Sequence, residues 1–501
     1  MIIDKQSLKE HLIYILKFKR YIILQLLLLL AAVVYYSFFA NKNISSFDEG
    51  YFVHNAERIF NGEIPYKDFF LQYGPTYFYV LAVFYKLFGV SILTGRIFSL
   101  IICLLITGSI FYLLNLLKIT SYKIIFLVFL SIISFGYPLV NIPSIIWSNV
   151  LISVLLLIFC ISHYGSNKRK TKYLAYMGVL LALSLSLKQN LGILYIIFYN
   201  VFVLLKDRRY PNKAIKNFLV LNITWFILTF FWIYYFFLKD NVAGLINYIS
   251  FSRNFIASYG FSYPPLVNFL KPLGIFKQIP YYLPVFLFFV ILFYIYKKDK
   301  NWKIILVSLS SCLGFFVSIY PQSDLIHCFP FFGLILISLL LIFYREKFYK
   351  PVLFLILISI LIGFYLTFFA KVYDNYFLKE NTYLDLPKTQ GMMLTKFDAD
   401  SFKAVANFVN SHTRKGDYIF VYPYHPVFYF IFDRKNPSKD SIYYLRSWHF
   451  YDDKFIIEEI KKRQVKYIIV YREYRYDSDL SRFIQKQKEV YKFGSFIIFK
   501  M

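Results

Sequence analysis

Asp48 and Glu49 stand side by side directly after the first long apolar run of this 501-residue chain. Adjacent carboxylates at a membrane surface offer a base for proton transfer and a fixed negative charge for a cation. At 3.6 residues per turn, Asp48, Tyr51, Asn55 and Arg58 fall on one side of a helix running to about Phe60, while Val53, Ala56 and Phe60 gather on another. Ser45-x-x-Asp48 and Ser46-x-x-Glu49 also fit capping boxes, so the same acids would serve equally to satisfy free amides at a helix start. On the cationic side, Lys188 is followed by Gln189 and Asn190 and interrupts the apolar runs around it. It reads either as an interface lysine with its stem along lipid or as a cation held for an anionic ligand. Arg96 opens another run as an interface anchor or a phosphate contact, Arg58 is a weaker cation, and Arg253 lies in the long stretch 241–279. Asp324 and His327 precede a further run, where they read as helix cap and interface residue. With Glu49 they also have the donor types of a metal site.

These residues need elements to hold them, and composition says which. The chain is 58% hydrophobic and 22% aromatic with only 17% charged residues, which excludes a soluble globular protein of this length. A hydrocarbon core about 30 Å thick needs roughly 20 apolar residues as helix, and about eleven runs of that kind recur. They are residues 21–40, 93–116, 124–139, 145–164, 173–187, 191–205, 218–238, 281–296, 304–320, 328–344 and 352–370. The first lacks a small-residue cleavage site and reads as a retained span.

The net charge of +28 concentrates in short connectors at 17–20, 167–172, 206–216, 297–303 and 345–350. That is the positive-inside pattern and not a nucleic-acid surface. It requires the short aromatic segment 75–90, interrupted by Lys86, to lie along the interface, since a crossing there would invert every later connector. Residues 41–74, 138–144, 188–190, 239–279, 321–327 and everything after Lys371 then fall on the outer side. All the candidate residues lie there.

Cys103, Cys160, Cys312 and Cys328 fall in or beside apolar runs, so a disulfide framework is not expected. No zinc spacing, glycine-rich phosphate loop or serine elbow is present. After Ala370 the pattern changes to mixed charge and short apolar stretches. Helices are expected over 401–412 and 453–463 and strands over 418–422, 466–471 and 493–499, a small α/β domain. The domain reading is therefore 1–370, a helical membrane domain, and 371–501, an outer α/β domain. Asp452-Asp453 and Glu458-Glu459 read as helix-start charges and a solvated face.

From Asp48 to Leu100 the sequence resembles the first external loop and following span of GT-C glycosyltransferases, nearest the group of protein O-mannosyltransferases and lipid A aminoarabinose transferases. The residues that carry the resemblance are Asp48-Glu49, Gly62, Pro65-Tyr66, Gly74-Pro75, Leu87-Phe88-Gly89 and Arg96. The layout of spans followed by an outer domain agrees over nearly the whole chain. The resemblance implies a mostly α, polytopic GT-C-like bundle. It also implies transfer of a monosaccharide from a polyprenyl-phosphate carrier to an acceptor hydroxyl on lipid, cell-surface glycan or protein at the outer face.

By the same resemblance Asp48 is the base of an inverting transfer and Glu49 holds a neighbouring group or a metal. Lys188 contacts the carrier phosphate, and the Asp324–His327 loop lines the substrate cavity. Asn141 is the one strongly polar side chain of 138–144, so no second acidic motif is present there. That favours a reaction needing no cofactor, with a divalent metal not required. An Ile-, Lys-, Phe- and Asn-rich composition suggests a bacterial plasma membrane. The rival readings are a lipid-linked polysaccharide polymerase, ligase or flippase, and a transporter, whose site should sit at broken helices near the midplane.

Overall fold

The computed structural model describes residues 5–45, 48–136, 145–165, 170–239, 246, 263, 274–297, 301–320, 325–344, 349–369, 379–443, 452–472 and 478–501. The chain opens with helices α1 (Lys5–Ala40), α2 (Asp48–Phe60), α3 (Thr76–Phe88), α4 (Ile92–Leu116), α5 (Tyr122–Gly136), α6 (Ile145–Tyr164) and α7 (Lys172–Leu187). It continues through α8 (Gln189–Asp207), α9 (Pro211–Leu238), α10 (Gly274–Tyr296), α11 (Trp302–Ser318), α12 (Leu325–Phe343) and α13 (Tyr349–Phe369).

Among the described residues seven helices are long and apolar enough to cross a membrane, within α1, α4, α6, α8, α9, α10 and α13. The shorter apolar helices α5, α7, α11 and α12 occupy the other expected runs, and α3 corresponds to the segment read as interfacial. The bundle is apolar outside as well as inside: Leu219, Ile223, Phe226 and Phe230 of α9 are exposed. A solvent of lipid makes that arrangement stable, since tails and side chains are equally apolar. Association must then come from packing and from hydroxyl contacts. One of these is Ser153 with the Tyr195 hydroxyl at 2.6 Å, and another is Thr367 donating to the Ser134 carbonyl at 3.1 Å.

The segment after α13 folds as expected in kind: β1 (Asn381–Tyr383), β2 (Met393–Thr395), α14 (Lys396–His412), β3 (Phe420–Tyr422), α15 (Val427–Phe432), α16 (Asp453–Lys462), β4 (Tyr467–Tyr471), α17 (Asp479–Gln485), β5 (Lys488–Phe493) and β6 (Phe496–Lys500). The sheet order is β3-β4-β6-β5, with β3 and β4 parallel and the other pairs antiparallel. The expected strand 493–499 is in fact a hairpin turning at Gly494, whose φ of +52° suits glycine. Its first arm, Lys-Glu-Val-Tyr-Lys-Phe, is a mostly exposed edge and carries too little apolar signal to stand out. The expected helix at 401 begins at Lys396, because Thr395 caps it through the Asp398 amide at 3.3 Å. Asp452 is a helix cap as read, accepting from the Phe455 amide at 2.8 Å.

In space the break at residue 371 is bridged by the first outer loop. Residues just after α1 pair with β2, the Asn43 amide donating to Met393 O at 2.7 Å and the Met393 amide to Asn41 O at 2.8 Å. The Phe70 amide donates to Lys439 O at 2.9 Å and the Ile92 amide to Lys388 O at 3.0 Å.

Candidate active site

Glu49 and Arg96 form the fixed point of the first outer loop. The Arg96 Nε–H donates to Glu49 Oε1 at 2.6 Å and Nη2–H to Oε2 at 2.8 Å, both side chains being wholly buried. Nη1 donates to Ala40 O at 3.0 Å and Lys42 O at 2.8 Å, and Nη2 also to Asn43 O. All five guanidinium N–H groups are thus used, and the fork closes the unsatisfied end of α1 onto the start of α2. Glu49 Oε2 further accepts from the Ser45 amide at 3.2 Å. Burial pushes the Glu49 carboxyl up, while the charge and hydrogen bonds of Arg96 and the Ser45 amide draw it back. The bidentate geometry is that of an ionised pair. Arg96, expected as a phosphate contact, has no donor left for one, and the neighbouring group that Glu49 holds is Arg96.

The polar stripe expected on α2 also turns inward after its first residue. The Tyr51 hydroxyl accepts from the Gln72 amide at 2.8 Å. Asn55 is buried, donates to Tyr51 O at 2.9 Å and accepts from the Ser441 hydroxyl at 3.4 Å. Arg58 donates to Glu63 Oε2 at 2.8 Å and to Asp68 O at 3.2 Å, with its guanidinium 4.5 Å from the Phe69 ring centroid. Two of its nitrogens thus close the 60–69 turn, while the buried Nη1 has no hydrogen-bond partner among the described residues. These hydrogen bonds tie the stripe to the 60–72 turn and to Ser441.

Asp48, half-buried, heads the helix one turn before Tyr51 and Phe52 and so shares their side. Those rings face the 72–78 turn: Phe52 stacks on Tyr73 and Phe78 with centroids 5.9 and 5.6 Å away. The Gly74 amide donates to Leu187 O at 3.1 Å, and a Cβ at Gly74 would stand 1.9 Å from Ser186 O, so only glycine allows this approach. The Thr76 hydroxyl donates to Ser186 at 2.7 Å.

The segment between α1 and α3 is thereby fastened to the end of α7, where Lys188 stands. Lys188 is one extended residue, φ −144° and ψ 102°, between α7 and α8, with helical hydrogen bonds on either side of it. Its ammonium reaches Ser318 O at the end of α11 at 3.5 Å, and the Ser318 hydroxyl donates to His327 O at 2.9 Å. The ends of α7, α11 and α12 therefore meet beside the 72–75 turn, with Lys188, Gln189 and His327 half-buried. Asn190 accepts from the Leu191 amide at 2.9 Å, as a helix-start residue does. Arg253, Asp324 and Asn141 lie outside the described residues. Among the described residues no three His, Cys, Asp or Glu side chains gather as a metal site requires.

One cluster had no counterpart in the sequence reading. Lys388 donates to Glu57 Oε1 at 2.6 Å, to Phe430 O at 2.8 Å and to Asp433 Oδ1, and Lys415 meets Asp433 Oδ2 at 2.9 Å. The Glu57 carboxyl is pushed up to about 7, chiefly by burial, with Lys388 opposing and Asp433 and Glu63 adding. One turn earlier His54 is buried against Tyr429, ring centroids 5.1 Å apart, with neither ring nitrogen hydrogen-bonded. Burial, then Arg58 and Lys388, hold its pKa well below the usual histidine range. Gly50, His54 and Glu57 repeat at helical spacing, which was the available signal; their partners lie more than 300 residues away.

No family model and no curated protein matches the chain. Solved structures do. The chain matches the crystal structure of ArnT from Cupriavidus metallidurans bound to undecaprenyl phosphate with a TM-score of 0.56 at 12% identity, covering 95% of this chain and 97% of that one. It matches the apo state of the same protein with a TM-score of 0.57 at 12% identity, covering 96% and 98%.

The chain has the ArnT fold. The match runs through bundle and outer segment alike, so the GT-C resemblance seen at residues 48–100 extends to the architecture of nearly the whole chain. The Arg96–Glu49 fork and the Lys188 break belong to one end of the bundle, and residues 388–393 of the C-terminal segment are hydrogen-bonded to that end.

Proposed function

We propose that this chain is an inverting glycosyltransferase that moves a monosaccharide from a polyprenyl-phosphate carrier to an acceptor hydroxyl at the outer face of the plasma membrane. The observation that carries the reading is the locked start of α2. Glu49 and Arg96 fix the helix start next to Asp48, and the Gly74 turn, against which Phe52 of the same helix packs, is hydrogen-bonded to the end of α7 beside Lys188. The fold shared with a structure that binds undecaprenyl phosphate supports the donor class.

In this reading the acceptor oxygen attacks the anomeric carbon as its proton passes to the Asp48 carboxylate. The bond from that carbon to the carrier phosphate breaks on the opposite side. An ordinary carboxylate suffices, because the proton moves late toward an oxocarbenium-like centre. The Lys188 ammonium meets the charge that develops on the departing phosphate. Gln189 and His327 border the same place, and lipid, glycan or protein supplies the acceptor. Glu49 and Arg96 act as positioning residues.

The test is transfer from radiolabelled polyprenyl-phosphate sugars into membrane extract by purified full chain. Asp48→Asn keeps shape and abolishes transfer, and retained turnover in that variant would remove Asp48 as base. Lys188→Ala loses a charge-assisted contact of about 1.5–3 kcal/mol, read as a rise in KM for the donor. An unchanged donor response would remove that assignment.

A further inference from the structure

The end of the bundle opposite α2 holds a cavity of about 470 Å³, lined by Tyr21 of α1, Lys118, Thr120 and Ser121 of the α4–α5 connector, Lys123 of α5 and Tyr344 after α12. Its place follows from α4. That helix starts at Ile92, whose amide is bonded to the outer segment, and its 25 residues span roughly 37 Å before the connector begins. The cavity therefore belongs to the face that carries the basic connectors.

Its chemistry is that of an anion site. None of the lining residues is acidic, and hydroxyls and phenols stand beside the ammonium groups. The connector is also built in an unusual way. The Lys118 amide donates to Asn115 O and the Ile119 amide to Leu114 O, both at 3.0 Å, the hydrogen-bond pair that ends a helix at a left-handed residue. Glycine normally takes that position, yet Lys118 occupies it with φ +58°. A strained lysine in the wall of a basic cavity is an observation of the kind that points to function. The walls are braced. Gln25 and Asn115 exchange two hydrogen bonds of 3.1 Å between α1 and α4, and the Tyr21 and Tyr122 rings lie 4.5 Å apart.

We propose that this cavity binds the phosphate of an anionic phospholipid headgroup in the leaflet that borders the basic connectors. The apolar span of α4 ends here at Leu116, and basic pockets between helices at such ends suit lipid phosphates. Free phosphate offers the same chemistry without the tails, so the test separates them.

Purified full chain in neutral detergent is titrated with phosphatidylglycerol, phosphatidylcholine or inorganic phosphate, and binding is read by native mass spectrometry and thermal unfolding. Phosphatidylglycerol is expected to bind and raise Tm, and phosphatidylcholine to do neither. Lys123→Gln should weaken phosphatidylglycerol about fivefold, and Lys118→Gly with Lys123→Gln roughly 25-fold. Lys118→Gly removes the charge while relieving the positive φ, so the lipid-free Tm should hold or rise and lost binding is not misfolding. Unchanged phosphatidylglycerol affinity in the double variant, or equal binding of phosphatidylcholine, overturns the proposal. An equal response to inorganic phosphate at matched concentration overturns the lipid as its source.

Discussion

The two ends of α2 are held by ion pairs of opposite character. At Asp48–Glu49 the helix is gripped by one arginine whose five donors each have an acceptor, and the pair is completely dry. At Glu57 the grip is one lysine shared between Glu57 and Asp433, beside a buried histidine that hydrogen-bonds nothing among the described residues. A planar fork matches a carboxylate and backbone carbonyls at once, whereas the Lys388 ammonium is a point charge whose pull on Glu57 is outweighed by burial. The end that carries the proposed base is therefore fixed, and the end that meets the outer segment is titratable.

The largest effect expected of breaking this contrast is at its rigid side. Arg96→Ala leaves Glu49 as a buried lone charge and the α1 carbonyls without donors, which should cost about 3–5 kcal/mol of stability. Arg96→Met with Glu49→Met should recover much of that loss but not the transfer activity, measured by thermal unfolding beside the transfer assay.

The titratable side sharpens the contrast through pH. Because the Glu57 carboxyl is raised from 4.5 to about 7, the folded protein holds this proton more tightly than the unfolded chain does. Its contribution, up to roughly 3 kcal/mol, is complete below the unfolded value, declines as pH rises and is gone above about 7. Asp433 behaves oppositely: burial raises it but the hydrogen bonds and charges of Lys388 and Lys415 prevail and lower it, so its contribution is lost only as pH falls into the acid range. The protection of α15 amides, taken relative to their intrinsic exchange at each pH, should accordingly fall between pH 5 and 7.5, and Glu57→Gln should flatten that dependence.

A steric change at the seam should be smaller. A Cβ at Gly50 would meet the Val427 backbone nitrogen at 2.5 Å and its Cβ at 2.8 Å, so Gly50→Ala should push α15 away for about 1–3 kcal/mol. Proteolysis of the outer segment would then rise with little change in the bundle. The smallest effect is expected for Lys415→Gln, a largely exposed partner of Asp433: about 0–1 kcal/mol by the same unfolding measurement.

Much of this molecule was legible as pattern. Continuous apolar runs give helices because lipid leaves backbone groups no other partner, and basic connectors mark one face. The Gly74-Pro75 turn and the Lys188 break were visible as local departures from apolar helix, and both proved to be meeting points of elements. The hairpin at 488–500 was half missed because an exposed edge strand is written mostly in polar residues. Tyr51, Asn55 and Arg58 were assigned to one polar face correctly as geometry. Helical spacing cannot say whether such a face meets a cavity or another part of the protein, and here it meets Gln72, Ser441 and Glu63.

By itself the sequence determined the membrane class, the side on which polar chemistry gathers, and the adjacency of Asp48 and Glu49, since each depends on residue order alone. The tertiary structure alone decided which cations hold the carboxylates at the two ends of α2. Glu49 is consumed by an arginine 47 positions away, and Glu57 by a lysine 331 positions away. Which charge meets a carboxylate depends on what folding brings to it, and local spacing does not encode that.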